Sequence, residues 1–235
     1  MDRRAHIIRF GNDGWHARFD EDFTTENVVR VADALGLLWG DAHPGATVFV
    51  GYDTRHNARA LARETAGVLA GYGLDVRLSI GASPTPAVGW ACSHDASAIG
   101  GVVLTASERS CEYGGILVRM GDGGPASHDL LDQVEQLVPN VPTEVRGSYV
   151  ETDFVGSYLA DLALLVDGCA IADARPRVVA DPMHGSGTDR LAEVLKGLGC
   201  VVTQIHGERS EDFGGIHPEP ADPWADDCEQ AVVST

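Results

Sequence analysis

Short runs of branched and apolar residues alternate along this chain with segments whose apolar positions recur every three or four residues. The runs Ile7–Phe10, Thr47–Tyr52, Leu74–Ile80, Ile99–Leu104 and Gly115–Arg119 predict strands. Between them, Val28, Val31, Leu35 and Leu38 fall on one helical face, with Thr24 or Thr25 placed to cap its start. Ala58, Leu61, Ala62, Thr65, Val68 and Leu69 form a second stripe, ended by Gly71 or Gly73. Ser127 opens a third helix carrying Leu130, Leu131, Val134 and Leu137. These stripes are core packing. Alternation of this kind predicts an α/β layered fold with mixed sheets.

Regular patterning stops at Pro139-Asn140-Val141-Pro142-Thr143, where two prolines flank a valine. It resumes with an apolar helical face at Phe154, Val155, Tyr158, Leu159, Leu162 and Leu165. A strand over Arg177–Ala180, a helix through Leu191, Val194, Leu195 and Leu198 closed by Gly199, and a strand over Val201–Ile205 follow. Asp222 and Pro223 begin a last helix. The expected architecture is two consecutive α/β/α units, residues 1–143 and 148–235, with the second cut short. Gly185-Ser186-Gly187 tightens a strand-to-helix corner and lacks the third glycine of a dinucleotide fingerprint.

Net charge is −18, with acidic residues scattered along the chain. Such a surface repels nucleic-acid backbones, and it repels a phosphorylated small molecule unless local cations override the field. Arg9, Arg18, Arg55 and Arg109 lie near the ends of predicted strands and offer such a cluster, with Arg18 and Arg55 as phosphate-binding candidates. No apolar run approaches the roughly 18–20 residues needed to cross a bilayer, and the start lacks the apolar segment of a secretory signal. Five cysteines with no C-x-x-C pair predict reduced thiols, so the expected compartment is the cytoplasm. The nine histidines show no metal-ligand spacing, and no metal site is expected.

The most informative chemistry lies after the strand Ile99–Leu104. Thr105-Ala106-Ser107-Glu108-Arg109-Ser110 displays a hydroxyl at the carboxyl end of a buried strand, where α/β proteins present ligands and nucleophiles. A serine there either bonds its own loop or acts covalently, and the second needs a base or a positive field. This loop resembles the phosphoserine loop of the α-D-phosphohexomutases (phosphoglucomutase/phosphomannomutase). The resemblance extends over nearly the whole chain, in family order. Phe10-Gly11-Asn12-Asp13-Gly14-Trp15 is similar to the family opening F-G-T-D-G-W-R-G, and Val50-Gly51-Tyr52-Asp53-Thr54-Arg55 to V-G-Y-D-T-R. Pro84-Thr85-Pro86 is similar to P-T-P, Asp181-Pro182-Met183-His184-Gly185 to D-P-M-H-G, and Phe213 through Pro220 to F-G-G-x-x-P-E-P.

The resemblance implies phosphoryl transfer between positions of one hexose phosphate through a phosphoserine, with Ser107 at that serine and Mg²⁺ as the family's cofactor. The chain also departs from the family. His16-Ala17 stands for Arg-Gly, Glu108-Arg109-Ser110 for His-Asn-Pro, and Gly114 and Leu117 for the Asn and Lys of Y-N-G-I-K. The D-G-D-A-D-R segment that holds the family's metal does not occur, so no cofactor is expected for this chain alone. Arg109 is the expected compensating cation beside Ser107. Three readings follow: a mutase component completed by another chain, a non-catalytic homologue that binds a partner or a sugar phosphate, and a remnant of a longer reading frame. Substitutions around Ser107 favour the last two. An open edge on the second unit predicts a homo-oligomer or a complementing chain as partner.

Overall fold

A computed structural model of the chain describes residues 8–12, 14–188 and 190–235. Eight strands are assigned there: β1 (Trp15–Arg18), β2 (Thr47–Tyr52), β3 (Asp75–Ser79), β4 (Ala98–Leu104), β5 (Tyr113–Met120), β6 (Val150–Thr152), β7 (Arg177–Ala180) and β8 (Val201–Gln204). The helices are α1 (Thr25–Ala42), α2 (Ala58–Gly71), α3 (Thr85–Ser93), α4 (His128–Leu137), α5 (Phe154–Leu164), α6 (Gly168–Ala174), α7 (Leu191–Gly197) and α8 (Asp226–Ser234), with a 3₁₀ turn at Phe213–Gly215.

The first six strands form one mixed sheet in the order β1-β5-β4-β2-β3-β6. β2 runs parallel to β3 and β4, and β5 runs antiparallel to β4 and β1. Strand alternation sorts the core into two faces. Val48, Val50, Val102, Leu104, Ile116 and Val118 pack with α1, α2 and α4, while Phe49, Val103 and Leu117 pack with α3 and α5. The result is three layers. The expected caps form at both Thr24, whose hydroxyl accepts from Asn27 N at 3.2 Å, and Ser127, whose hydroxyl accepts from Leu130 N at 3.2 Å.

Three elements differ from the expectation. Of the strand expected at Ile7–Phe10, Ile7 lies outside the described residues, and 8–10 form no ladder because Phe10 N donates to the Glu135 carboxylate at 2.5 Å. The strand forms instead at β1, after an antiparallel bridge between Gly11 and Gly14. The last helix begins at Asp226 rather than Asp222, since Trp224 N turns back to Ala221 O. β6, from beyond the proline break, pairs parallel with β3 and closes the edge of the first sheet.

The second sheet is the parallel pair β7–β8, not a mixed sheet among the described residues. Its surroundings are sparsely buried: α6 and α8 bury no residue, whereas α1 buries eleven. Phe154 and Val155 of α5 join the core of the first unit. No single helix among the described residues is long and apolar enough to span a membrane.

Candidate active site

β2 and β4 lie side by side, but the chain leaves β2 for β3 on one flank and returns to β4 on the other. Their carboxyl ends therefore form a topological switch point, the place where open α/β sheets bind ligands. Residues 53–55 follow β2 and residues 105–110 follow β4 there, and Asp53 N donates to Leu104 O at 3.1 Å.

Arg55 organises this corner. Its side chain is about 1% exposed, and Nε meets Asp53 Oδ2 at 3.0 Å. Nη1 donates to the carbonyls of Ser110 and Tyr113, and Nη2 to those of Ser107 and Arg109, at 2.6–3.1 Å. A guanidinium has five N–H donors, and all five are engaged. Asp53 accepts in turn from Arg55 N at 2.9 Å and from Thr105 Oγ1 at 2.6 Å, and Thr105 Oγ1 accepts from Ser107 N at 3.0 Å. Burial pushes the Asp53 carboxyl above the usual carboxylate range, and the Arg55 charge opposes that rise. Burial also lowers the Arg55 guanidinium, against the pull of Asp53.

The loop held this way carries Ser107 exposed, at φ +53°. A left-handed conformation is uncommon for a residue with a side chain, and it persists where surrounding bonds over-determine it. The four carbonyls fixed by Arg55 supply that constraint.

The second unit closes over the same corner. Thr54 Oγ1 donates to His184 O at 2.9 Å, and His56 Nδ1 lies 2.6 Å from Glu211 Oε2. The buried Phe213 ring covers the Arg55 guanidinium at 4.8 Å. Gly214 sits at φ +64°, where a Cβ would press on His184 Nε2 at 2.6 Å. The stretches 53–55, 105–107, 181–185 and 213–220, widely separated in sequence, thus converge.

Two cavities flank the loop. One, of about 610 Å³, is lined among others by Gly14, His16, Arg109, Tyr113, His217 and Glu219. The other, of about 220 Å³, is lined among others by Asn12, Gly14, Ser107, Leu117 and Arg119. The structure thus distributes the sequence-derived residues. Ser107 and Arg109 flank different cavities, with Glu108 beside Arg109. Arg55 lies beneath the loop. Arg18 lines neither cavity: it pairs with Asp20 at 3.0 Å and Glu112 at 2.9 Å, and the bond and charge of Asp20 raise it above the ordinary arginine range.

The model of phosphoglucomutase/phosphomannomutase α/β/α domain I matches residues 8–144, and that of domain II matches residues 156–234. The chain belongs to the phosphoglucomutase/phosphomannomutase family. A phosphoglucomutase/phosphomannomutase of Thermococcus kodakarensis is 31% identical over 217 residues, 90% of this chain and 47% of that protein. A phosphoglucosamine/phosphogalactosamine mutase of Sulfurisphaera tokodaii is 28% identical over 90% of this chain and 47% of its own length. A crystal structure of a Thermus thermophilus protein assigned as a phosphomannomutase superimposes with a TM-score of 0.91 at 33% identity, over 97% of this chain and 52% of that one. The chain spans about half the length of the curated relatives it matches.

The Mg²⁺ that membership of this family implies does not fit the described residues. Among the described residues, no group of three His, Cys, Asp or Glu side chains is placed to hold a metal ion. Mg²⁺ requires oxygen ligands in near-octahedral array, and Ser107 is flanked in sequence by Ala106 and Glu108.

Sequence reasoning missed Asp53 and Thr105 as loop supports, and Arg119, His16, His217 and Glu219 as cavity walls. Asp53 and Thr105 sit inside the motifs that carry the family resemblance. Arg119 had a signal too, because a residue two beyond Leu117 in a strand shares its face.

Proposed function

We propose that this chain is a cytoplasmic phosphohexomutase-family protein that binds a sugar phosphate beside its serine loop and does not complete the family's phosphoryl transfer by itself. One observation carries the reading: the frame of the loop is intact while its charges are altered. Arg55, Asp53 and Thr105 hold Ser107 at the switch point, yet Glu108 follows it and Leu117, apolar and 5% exposed, stands where the family has lysine. Arg55 has no free N–H donor, and Arg18 faces carboxylates.

Phosphoryl transfer relies on groups aimed at charge that develops in the transition state, and loss of one such donor costs about 2.7–4 kcal/mol. A phosphoserine would also bring about −1.5 to −2 charge next to Glu108. Binding asks for less. The 610 Å³ cavity is within the size range of small-molecule sites, and Arg109, Ser110, Tyr113 and His16 offer polar groups along its wall. Five free thiols, including the exposed Cys169, suit a reducing compartment.

Incubation with glucose 1,6-bisphosphate followed by intact-mass spectrometry tests the reading. The expected result is no stoichiometric phosphate on the protein and background conversion of glucose 1-phosphate to glucose 6-phosphate in a coupled assay. Stoichiometric phosphorylation that disappears in Ser107→Ala overturns it.

A second reading, partner binding through the second unit, is favoured by its exposed apolar residues. Leu164, Leu165 and Val233 are 77–89% exposed, and β7 and β8 pair only with each other among the described residues. The partner is a second copy of this chain or a complementing chain.

A further inference from the structure

Arg119 stands on β5 two residues beyond Leu117, on the same face of the sheet. Arg18, Arg63, Arg77 and Arg146 each face a carboxylate, in keeping with a chain of net charge −18. Arg119 does not. Its Nε is buried with no hydrogen-bond partner, and it makes no ion pair among the described residues. Burial lowers its guanidinium below the ordinary arginine range, opposed by the Cys92 thiol rather than by a carboxylate. A half-buried charge without partners is costly, and a built-in anion position resolves that cost.

The cavity that Arg119 shares with Ser107 supplies the position. It holds about 220 Å³, below the roughly 300–1,000 Å³ of sites for whole small molecules, and suits a single tetrahedral anion. Its described lining includes Arg119, Ser107 and Asn12, and no Asp or Glu. Gly14 lines both this cavity and the 610 Å³ one, so an anion held here lies next to space for a sugar.

We propose that Arg119 is the cation of an anion subsite beside Ser107 that takes inorganic phosphate or the phosphate group of a sugar phosphate. The inference rests on the proposed binding of a sugar phosphate and not on the absence of phosphoryl transfer. It gives the cation removed at position 117 a replacement one step along the same strand. The competing role for Arg119 is local. It also borders a cavity of about 440 Å³ with Trp90 and Asp122, whose Oδ1 accepts from Gly124 N at 2.9 Å.

Titration calorimetry of the whole chain with inorganic phosphate, and separately with glucose 6-phosphate, at constant ionic strength tests the assignment. The wild-type protein binds phosphate saturably. Arg119→Leu weakens binding roughly 10- to 100-fold, the loss of a charge-assisted hydrogen bond, without lowering the thermal midpoint. Arg119→Lys keeps most of the affinity, and Arg18→Leu leaves it within about twofold. If Arg119→Leu does not fold, Arg119→Gln carries the same expectation. Unchanged phosphate affinity in the Arg119 variants, or no saturable phosphate binding by the wild type, overturns the proposal. So does an Asp122→Asn variant that lowers the thermal midpoint while Arg119→Leu leaves phosphate affinity intact. Glucose 6-phosphate binding that ignores Arg119 removes this inference and leaves the proposed function standing, whereas phosphorylation of Ser107 removes the transfer reading and leaves this test intact.

Discussion

Arg55 turns all five of its N–H groups inward, and the sequence shows only that a cation follows a strand. Its place near a strand end made it a phosphate-binding candidate. Burial, which no single residue announces, makes it the support of the serine loop. Arg55→Ala would leave Asp53 buried without its counter-charge and four carbonyls without their donors. Stability should fall by about 3–5 kcal/mol in denaturant unfolding, and hydrogen exchange at residues 107–113 should accelerate. A loss under about 1 kcal/mol would mean that the loop holds itself. The place of Ser107 on an exposed loop after a strand was legible because its motif is local, whereas the supports of that loop pair across more than fifty positions. Gly114 gives a similar lesson. A Cβ there would collide with the ring of Phe23, so the space that the family gives to asparagine is filled by a neighbour absent from the local motif.

At the level of elements, the stripes on α1, α2 and α4 could be read directly from the spacing of their large apolar residues, although residues 27–36 of α1 are buried on every side. α3 was not legible. Ala87, Val88, Gly89, Ala91 and Cys92 are buried around most of the helix, which lies between the sheet and α5 and shows no stripe. β6 escaped for the opposite reason, being three mostly exposed residues with no apolar pattern. α5 is joined to the sheet and to α3 by Phe154 and Val155 in the core, the edge-to-face pair of Phe154 with Phe49 of β2 at 5.5 Å, and Trp90 Nε1 of α3 donating to Asp161 at 2.8 Å. Phe154→Ala should cost about 3–5 kcal/mol and alter Trp90 fluorescence in the native baseline, as α5 loosens from α3. A stable variant with an unchanged spectrum would mean that α5 is held elsewhere.

The whole molecule is uneven. The first unit has a deep two-faced core, while the second adds a two-stranded sheet, a pairing that is marginal alone in water. The renewed alternation beyond the two prolines could be read, but two things could not: β6 and the start of α5 join the first sheet and its core from beyond the break, and the second core is thin, since apolar positions look the same whether covered or bare. With Leu164, Leu165, Val201 and Val233 exposed, the second unit should associate, opposed at long range by the charge of −18. Light scattering over a concentration series should show masses above 24.9 kDa that rise with salt as repulsion is screened. A monomer at high concentration in both low and high salt would refute that expectation.

The pairing of β6 with β3 also bears on the birth of the protein at the ribosome. Synthesis runs from the amino end, and β3 is finished about seventy residues before β6 is made. Throughout that interval one border of the newborn sheet has no mate, a state that invites pairing with other chains. Chaperone need should therefore peak late in translation of the first unit and subside only once the stretch beyond the prolines has left the exit tunnel.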